Sequence, residues 1–385
     1  MPTVQANGLT LDYDVFGDPA APPILLVMGL GLPGIAWPDA FIDGLVERGF
    51  RVIRFDNRDC GHSSKLGGSP MPNLPAAIAK ALLRLPVRAP YNLDDMAADT
   101  AGLLDALGIG KAHVVGVSMG GMIAQMLAAR FPARVASLTS IMSSSGNPSP
   151  RVSLGKRRAI RAIISRPADP SSIDSVVNHL VGVFGVIGSP GFPTPLEHLK
   201  QNLERIARRG LFPLGTARQL LGILASGDRR PAIRRITAPT LVIHGADDPL
   251  VPVAAGIDTA ANIPGAKLEV IAGMGHDFAP ALQPRLAEMI AAHCRAAMPP
   301  APALTPDQAA QRTPAPEAVP ADAVKAAPVA GTSTPVPAPV PAPEPTPVAT
   351  PAQPIAAQPG AVEPGPAEVA EAPPHTAGAP DEAAA

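Results

Sequence analysis

Short apolar runs alternate with longer segments of helical periodicity in the first part of the chain. Leu9–Phe16 alternates like a half-exposed strand, whereas Ile24–Met28 is continuously apolar, as in a strand buried on both faces. Further strands are predicted at Phe50–Phe55, His113–Val117 and Val135–Met142, and helices at Asp39–Arg48, Asp94–Leu107 and Met119–Arg130. This alternation predicts an α/β fold with a mostly parallel sheet and helices on both faces.

The alternation stops after Ser145 and resumes at Thr240. Residues 146–236 contain several helical stretches and no convincing strand. Strands then follow at Thr240–His244 and Lys267–Ile271, with helices near Val253–Ala261 and Pro284–Arg295. A helical insertion between two halves of one sheet indicates a lid rather than a second domain. Within it, Leu180–Ile187 is apolar all round and is expected to pack between the lid and the body, with an acyl pocket as the alternative.

The composition changes near Met298. Of the 50 prolines, 23 lie between Pro299 and Ala385, in a segment without Phe, Tyr or Trp. Such a segment cannot bury enough apolar surface to offset its loss of conformational entropy. We therefore expect one folded domain over residues 1–298, with the lid at about 146–236, and a disordered Pro/Ala-rich tail over 299–385. The sequence identifies no partner for the tail.

The overall net charge of −1 conceals a division between tail and domain. The tail has two basic and nine acidic residues, so residues 1–298 carry a net charge of +6. Fifteen basic and five acidic residues lie between Arg151 and Arg235. Nucleic-acid binding is one interpretation, but the chain lacks aromatic stacking platforms and a recognised binding motif. A solvated helical face is the expectation, and no nucleic-acid partner is predicted.

Targeting and metal signals are weak. Cys60 and Cys294 are far apart in sequence, which predicts neither a disulfide framework nor a metal site. The N-terminus has no basic region before its first apolar run, and glycines interrupt that run, so neither a signal peptide nor a membrane span is predicted. A cytoplasmic location is the expectation.

The strongest chemical signal is Gly116-Val117-Ser118-Met119-Gly120, between a predicted strand and a predicted helix. A G-x-S-x-G pentapeptide in this context is typical of a nucleophile elbow, a tight turn that exposes a serine. The N-terminus of the helix directs free amides and a partial positive charge at the site. Ser118 is the predicted nucleophile, against the alternative of an ordinary strand–helix turn.

A serine hydroxyl needs a base to take its proton, and eight histidines compete for that role. His276 lies in a loop after the last predicted strand, at the carboxyl edge where parallel sheets place their ligands. The other seven lie in predicted strands, helices, an early loop or the tail: His62, His113, His179, His198, His244, His293 and His375. His276 is therefore the predicted base.

The base needs a carboxylate to orient it. Asp247 and Asp248 both follow the predicted strand Thr240–His244. Asp248 is preferred because Pro249 fixes its backbone at the apex of the turn, while Asp247 is expected to cap the turn or the following segment. An oxyanion further needs two amides. Met119 and Leu30 are predicted to supply them, although the glycines around Leu30 would also suit a simple turn.

These features resemble the α/β-hydrolase superfamily over residues 1–298. Four stretches are similar to one bacterial group within it, the esterases similar to aclacinomycin methylesterase: Leu26–Gly29, Ala36–Asp39, Arg54–Asp59 and Ser118–Gln125. The resemblance implies the same roles for Ser118, Asp248, His276, Leu30 and Met119. Many superfamily members have His-Gly where Met28-Gly29 stands. The tail and the Pro70–Pro90 insertion also lie outside the general pattern.

The expected function is hydrolysis of a carboxylic ester of an apolar small molecule, methyl esters included, without a metal or organic cofactor. A cofactor-free haloperoxidase or perhydrolase and a C–C-bond hydrolase would use the same triad. Dehalogenases and epoxide hydrolases of this fold carry an aspartate at the position of Ser118, which argues against both. From a different class, a non-catalytic receptor or scaffold acting through the tail is the remaining alternative.

Overall fold

A computed structural model describes residues 2–67 and 73–298 of the chain. Within these residues one sheet contains eight strands: β1 (Thr3–Ala6), β2 (Leu9–Phe16), β3 (Pro23–Val27), β4 (Arg51–Phe55), β5 (Ala112–Val117), β6 (Val135–Ile141), β7 (Thr240–Gly245) and β8 (Lys267–Ile271). Their spatial order is β1-β2-β4-β3-β5-β6-β7-β8. The sheet is antiparallel where β2 pairs with β1 and β4, and parallel elsewhere. The predicted mostly parallel sheet is confirmed.

The helices of the described residues follow the predicted alternation. They are α1 (Asp39–Val46), α2 (Leu74–Leu82), α3 (Leu93–Ala106), α4 (Met119–Arg130), α5 (Pro150–Ser153), α6 (Arg157–Ile164), α7 (Ile173–Ile187), α8 (Leu196–Gly210), α9 (Pro213–Ser226), α10 (Arg230–Ile233), α11 (Val253–Asn262) and α12 (Gln283–Ala296). For α1, α3, α4, α11 and α12, the helices whose bounds the sequence predicted, the ends agree within one or two residues, which is the usual disagreement at helix termini.

The sheet separates two apolar cores because alternate residues of a strand point to opposite faces. Leu25 and Val27 of β3 belong to one core, together with residues of α3 and α4. Ile24 and Leu26 belong to the other, together with residues of α1 and α12. All four side chains are fully buried, and each contributes roughly 1.5–3 kcal/mol through removal from water. Strand β3 is therefore covered by helices on both faces of the sheet.

The lid, residues 146–236, contains helices α5 to α10 and is described in full. One of its apolar clusters is shared with the body: Val177 of α7 and Leu203 of α8 pack with Ile35, which precedes α1. Val183 and Ile187 of α7 are buried in a second cluster with α6. The apolar run Leu180–Ile187 thus packs among the lid helices and against body residues such as Ile35 and Leu250.

Buried ion pairs attach the lid to the body. Arg209 of α8 lies 2.5 Å from Asp12 of β2 and 3.0 Å from Asp56, which follows β4. Arg218 of α9 lies 2.8 Å from Asp59 in the same loop. Removing one partner of a buried pair leaves a charge that neither water nor a counterion compensates. These pairs therefore oppose separation of the lid from the sheet.

Two elements were missing from the sequence prediction. Strand β1 is short, and Asn7 and Gly8, which join it to β2, both have positive φ angles, 49° and 75°. An Asn-Gly pair between two strands is the usual signal for such a hairpin. Helix α2 lies in the proline-rich insertion, and its first turn is capped by Asn73, whose side chain accepts from the Ala76 N–H at 3.1 Å.

The predicted disordered tail, residues 299–385, lies outside the described residues, so the domain boundary at residue 298 stays a prediction. Among the helices in the described ranges, none combines the length and the hydrophobicity that crossing a bilayer requires.

Candidate active site

Ser118 connects the end of β5 to the first residue of α4 through a strained backbone, with φ 54° and ψ −119°. A non-glycine residue held in such a conformation costs on the order of 1–3 kcal/mol, which the surrounding structure must offset. Its N–H donates to Ile141 O at 2.9 Å, and its carbonyl accepts from Ser143 Oγ at 2.7 Å. The strand–turn–helix context expected around Ser118 is present.

The glycines of the pentapeptide are required by close backbone contacts. A Cβ on Gly116 would overlap the carbonyl oxygen of Gly120, and a Cβ on Gly120 would overlap that of Val27. A Cβ on Gly121 would lie 2.7 Å from the Cβ of Ser143. Helix α4 therefore packs closer to the sheet than any larger residue would allow, and the turn directs Ser118 to the carboxyl edge.

His276 and Asp248 reach Ser118 from two other loops at this edge. His276, after β8, places Nε2 3.0 Å from Ser118 Oγ, and its Nδ1 lies 2.7 Å from Asp248 Oδ2. Asp248 and His276 are only 6% and 8% exposed, so the contacts are largely shielded from water. With Nδ1 donating to the carboxylate, Nε2 is the nitrogen that can accept the serine proton.

The two candidate aspartates have different contacts. Asp248 Oδ1 accepts from the N–H groups of Leu250 and Val251, both at 2.9 Å, which leaves Oδ2 for the histidine. Asp247 Oδ2 accepts from the Gly273 N–H at 2.8 Å. Asp247 therefore joins the loop after β7 to the loop that carries His276, instead of capping its own turn as the sequence suggested.

The lid holds the His276 loop through contacts that sequence reasoning missed. The His276 N–H donates to Ile187 O at 2.7 Å, and the Gly275 N–H donates to Ser189 Oγ at 2.9 Å. Ser189 in turn donates its hydroxyl proton to the Asp277 carboxylate. Burial raises the pKa of the Asp277 carboxyl, and the hydrogen bonds from Ser189 oppose that rise. Only the position of Asp277 beside His276 could have indicated this cluster.

The loop after β3 lies directly beside the serine. A Cβ on Gly29 would be 3.4 Å from Ser118 Cβ and 3.9 Å from Ser118 Oγ. The loop is fixed by Asn57, whose Nδ2 donates to Met28 O at 3.0 Å, and by Gln219, whose Oε1 accepts from the Gly31 N–H at 2.8 Å. Leu30 thus belongs to a loop that passes close to Ser118.

Met119 provides the other amide considered for an oxyanion. It is the first residue of α4, so its N–H has no acceptor within the helix, and it adjoins Ser118 in the chain. Its side chain is fully buried beneath the turn. The structure thus brings Ser118, His276 and Asp248 into one hydrogen-bonded chain, with the Leu30 loop and the α4 N-terminus beside it.

His244 also lies near the aspartate but has a different environment. It is completely buried, its Nε2 lies 2.8 Å from Val251 O and 3.6 Å from Asp248 Oδ2, and burial lowers its pKa. A neutral His244 therefore donates to a backbone carbonyl behind the carboxylate. Over residues 2–67 and 73–298, no cluster of three or more His, Cys, Asp or Glu side chains has an arrangement that could bind a metal.

Comparison with known proteins agrees with this architecture. Residues 22–161 match the family described as the alpha/beta hydrolase fold. The chain is 30% identical over 251 residues to a putative carbamate hydrolase of Variovorax paradoxus, an alignment that covers 63% of this chain and 80% of the relative. The chain therefore belongs to the α/β-hydrolase family, which confirms the class indicated by the sequence.

One curated relative and one solved structure show how far the similarity extends. The rhodomycin D methylesterase of Streptomyces peucetius is 29% identical over 317 residues, which cover 77% of this chain and 99% of the methylesterase. Among solved structures, a meta-cleavage product hydrolase from Pseudomonas fluorescens has a TM-score of 0.57 at 21% identity and covers 77% of this chain and 98% of that one. The structural similarity establishes the fold, and the methylesterase similarity agrees with the group that the sequence resembles.

Proposed function

We propose that the chain is a serine hydrolase that cleaves a carboxylic ester of an apolar small molecule. Ser118 is the nucleophile, His276 the general base, and Asp248 the carboxylate that orients the imidazole. The observation that carries the proposal is the unbroken hydrogen-bonded chain Ser118 Oγ–His276–Asp248 at the carboxyl edge of the sheet. Membership of a hydrolase family with methylesterase relatives supports it.

In the acylation step, Ser118 Oγ attacks the ester carbonyl carbon as its proton passes to His276 Nε2. The Asp248 carboxylate accepts a hydrogen bond from Nδ1 and stabilises the resulting imidazolium. The carbonyl oxygen becomes an oxyanion, for which the amides of Leu30 and Met119 are the proposed donors. Collapse of this intermediate breaks the bond to the alkoxy group, which takes the proton from His276 and leaves as the alcohol.

The deacylation step repeats the sequence with water. His276 takes a proton from a water molecule, whose oxygen attacks the acyl-enzyme carbonyl. The second intermediate expels Ser118 Oγ, which recovers the proton from His276, and the acid is released. Both steps use side chains and backbone amides of this chain and require neither a metal nor an organic cofactor.

The proposed substrate class follows from the relatives and from the lid. The rhodomycin D methylesterases of two Streptomyces strains align with 77% of this chain and 99% of their own length, which favours methyl esters. The lid that borders the His276 loop has clusters of aliphatic side chains on helices α6 to α8. An apolar acid moiety is therefore favoured over a sugar or a peptide.

The proposal is tested with p-nitrophenyl esters from acetate to decanoate, together with aliphatic and aromatic methyl esters. Ser118→Ala and His276→Gln should each lower kcat by at least about 10⁴-fold, because the members of a triad act as one unit. His62→Gln is the matched control, since the His62 side chain is 57% exposed and lies 3.7 Å from Asp12, away from the Ser118–His276–Asp248 chain. Ester turnover that survives in folded Ser118→Ala would overturn the proposal.

A second candidate reaction is perhydrolysis, in which hydrogen peroxide replaces water in deacylation. A putative non-heme bromoperoxidase of Mycobacterium tuberculosis is 28% identical over 283 residues, which cover 91% of that protein. The reaction is measured as peracid formation from acetate and peroxide, beside ester cleavage on the same preparation. Peracid formation that exceeds ester hydrolysis and is lost in Ser118→Ala would assign the chain to perhydrolysis instead.

A further inference from the structure

Gln219 in lid helix α9 is hydrogen-bonded to the loop that carries Leu30. Its Oε1 accepts from the Gly31 N–H at 2.8 Å, and its Nε2 donates to Arg58 O at 2.8 Å. The side chain is completely buried. We propose that Gln219 is a positioning residue that holds the Leu30 amide in the orientation needed to stabilise an oxyanion. This inference rests on the proposed function.

The hydrogen bond from Gly31 to Gln219 fixes the peptide group that follows the Leu30 amide. The Gly31 nitrogen and the Leu30 carbonyl belong to one rigid peptide plane, so fixing the Gly31 N–H restricts the rotation that orients Leu30. The φ angle of Gly31 is 69°, and a Cβ at this position would lie 2.5 Å from Thr216 Oγ1 of the same lid helix. Helix α9 therefore packs against Gly31 through Thr216 and accepts the Gly31 N–H hydrogen bond through Gln219.

The loop is fixed at both ends, once by the body and once by the lid. At Met28 the carbonyl accepts from Asn57 of the body, and at Gly31 the N–H donates to Gln219 of the lid. Leu30 lies between these two points, next to Gly29, where an added Cβ would come within 3.4 Å of Ser118 Cβ. Without Gln219 the loop would keep the hydrogen bond from the body and lose the one to the lid.

A glutamine suits this position because the position requires a side chain that accepts one hydrogen bond and donates another. The Gly31 N–H requires an acceptor and the Arg58 carbonyl requires a donor, and a side-chain amide supplies both without a buried charge. The neighbouring Arg218 forms a fully buried ion pair with Asp59. That pair fixes helix α9 in place, so the amide of Gln219 is held by a rigid element.

The inference is tested by phosphonylation of Ser118 with a fluorophosphonate, which works whatever the natural ester is. Ser118 Oγ displaces fluoride, and the phosphoryl oxygen takes the position of the oxyanion. In Gln219→Met the maximal rate constant of labelling should fall about 10- to 100-fold, as expected for a misplaced oxyanion donor. The half-saturating probe concentration should change less than about threefold, because ground-state binding does not use the oxyanion contact.

Ser226→Ala is the matched control. Ser226 lies on the same helix α9 and also accepts from a body N–H, that of Leu93 at 3.0 Å, but it is remote from the Leu30 loop. Its labelling rate should stay within about twofold of wild type, since its contact is structural. If Gln219→Met does not fold, Gln219→Asn serves instead, because its amide is one methylene too short to reach Gly31.

The outcomes separate this inference from the proposed function. Loss of labelling in Ser118→Ala with wild-type rate constants in a folded Gln219 variant would overturn the role of Gln219 alone. Labelling that persists in Ser118→Ala would overturn the proposed function itself. Equal slowing of Gln219→Met and Ser226→Ala would assign the effect to general weakening of the lid and would also contradict the inference.

Discussion

The Asp59 carboxylate and the Arg218 guanidinium form two hydrogen bonds of 2.8 Å at a point where neither side chain contacts solvent. The hydroxyl of Tyr91 donates to the same carboxylate at 2.8 Å. Burial raises the pKa of the Asp59 carboxyl, but the hydrogen bonds from Arg218, the Leu66 N–H and Tyr91 outweigh it and hold the pKa below its ordinary value. The pair therefore stays ionised and joins the lid to the body.

Arg218→Met should destabilise the protein by about 3–5 kcal/mol, because it leaves the Asp59 charge buried without a partner. The measurement is the free energy of unfolding in urea at pH 7. Adding Asp59→Asn to the methionine variant removes that charge, so we expect the double variant to regain part of the loss.

The control for this prediction is Arg208→Met. Arg208 pairs with Glu204 one helical turn away, with the two side chains 65% and 48% exposed, so its removal should cost less than about 1 kcal/mol. If the Arg208 and Arg218 variants had equal free energies of unfolding, the buried Arg218–Asp59 pair would contribute no more to stability than an exposed pair.

Ser189→Ala should lower kcat/KM for ester cleavage by about tenfold or more, because small displacements of a catalytic group have large effects on rate. Ser189 accepts from the Gly275 N–H and donates to Asp277, the two residues on either side of His276. The measurement is steady-state kinetics on the preferred p-nitrophenyl ester, with thermal unfolding to verify the fold.

Ser171→Ala is the comparison for Ser189. Ser171 also donates to an aspartate, Asp169, at 2.6 Å, but this pair is exposed and remote from the His276 loop. Its kcat/KM should equal that of wild type. Wild-type activity in folded Ser189→Ala would show that the His276 loop keeps its position without the lid serine.

His113 should make the stability of the protein depend on pH. It is 3% exposed in β5, with Nδ1 2.8 Å from Ser137 Oγ, and burial lowers its pKa to about 4. The unfolded chain takes up a proton near its ordinary pKa of about 6.5, whereas the folded chain does not until about pH 4. The free energy of unfolding should therefore fall by roughly 3 kcal/mol as the pH drops through this window.

This dependence is measured by urea unfolding of wild type and His113→Gln between pH 7.5 and pH 4. The variant should lose less stability than wild type over that range, since its side chain does not titrate. His62→Gln, at an exposed position, should keep the wild-type slope. Parallel curves for wild type and His113→Gln would contradict the prediction.

The sheet could be predicted because its strands carry local signals. Ile24–Met28 is continuously apolar, and three valines follow His113 in His113–Val117, as expected for strands buried under helices on both faces. Strand β1 was not predicted because four residues are too few for a periodic pattern, although the Asn7-Gly8 pair is a signal for the hairpin turn that follows it. Helix α2 lies among prolines, where periodicity is interrupted.

The three residues of the proposed triad could be found because each lies in a recognisable local context. Ser118 has its glycines, His276 follows the last strand, and Asp248 precedes a proline. Gln219 and Ser189 could not be found in this way. Their partners Gly31 and Gly275 lie 188 and 86 residues away in the chain, so their contacts depend on tertiary packing.

The attachment of the lid to the loops that carry Leu30 and His276 limits how such a hydrolase can diverge or be re-engineered. A lid grafted from another hydrolase would have to supply an acceptor for the Gly31 N–H, a hydroxyl for Gly275 and a cation for Asp59. A foreign lid lacking them would disturb the loops that carry Leu30 and His276. New specificity is therefore more readily obtained by single substitutions on the inner surface of the lid than by exchange of residues 146–236 as a cassette.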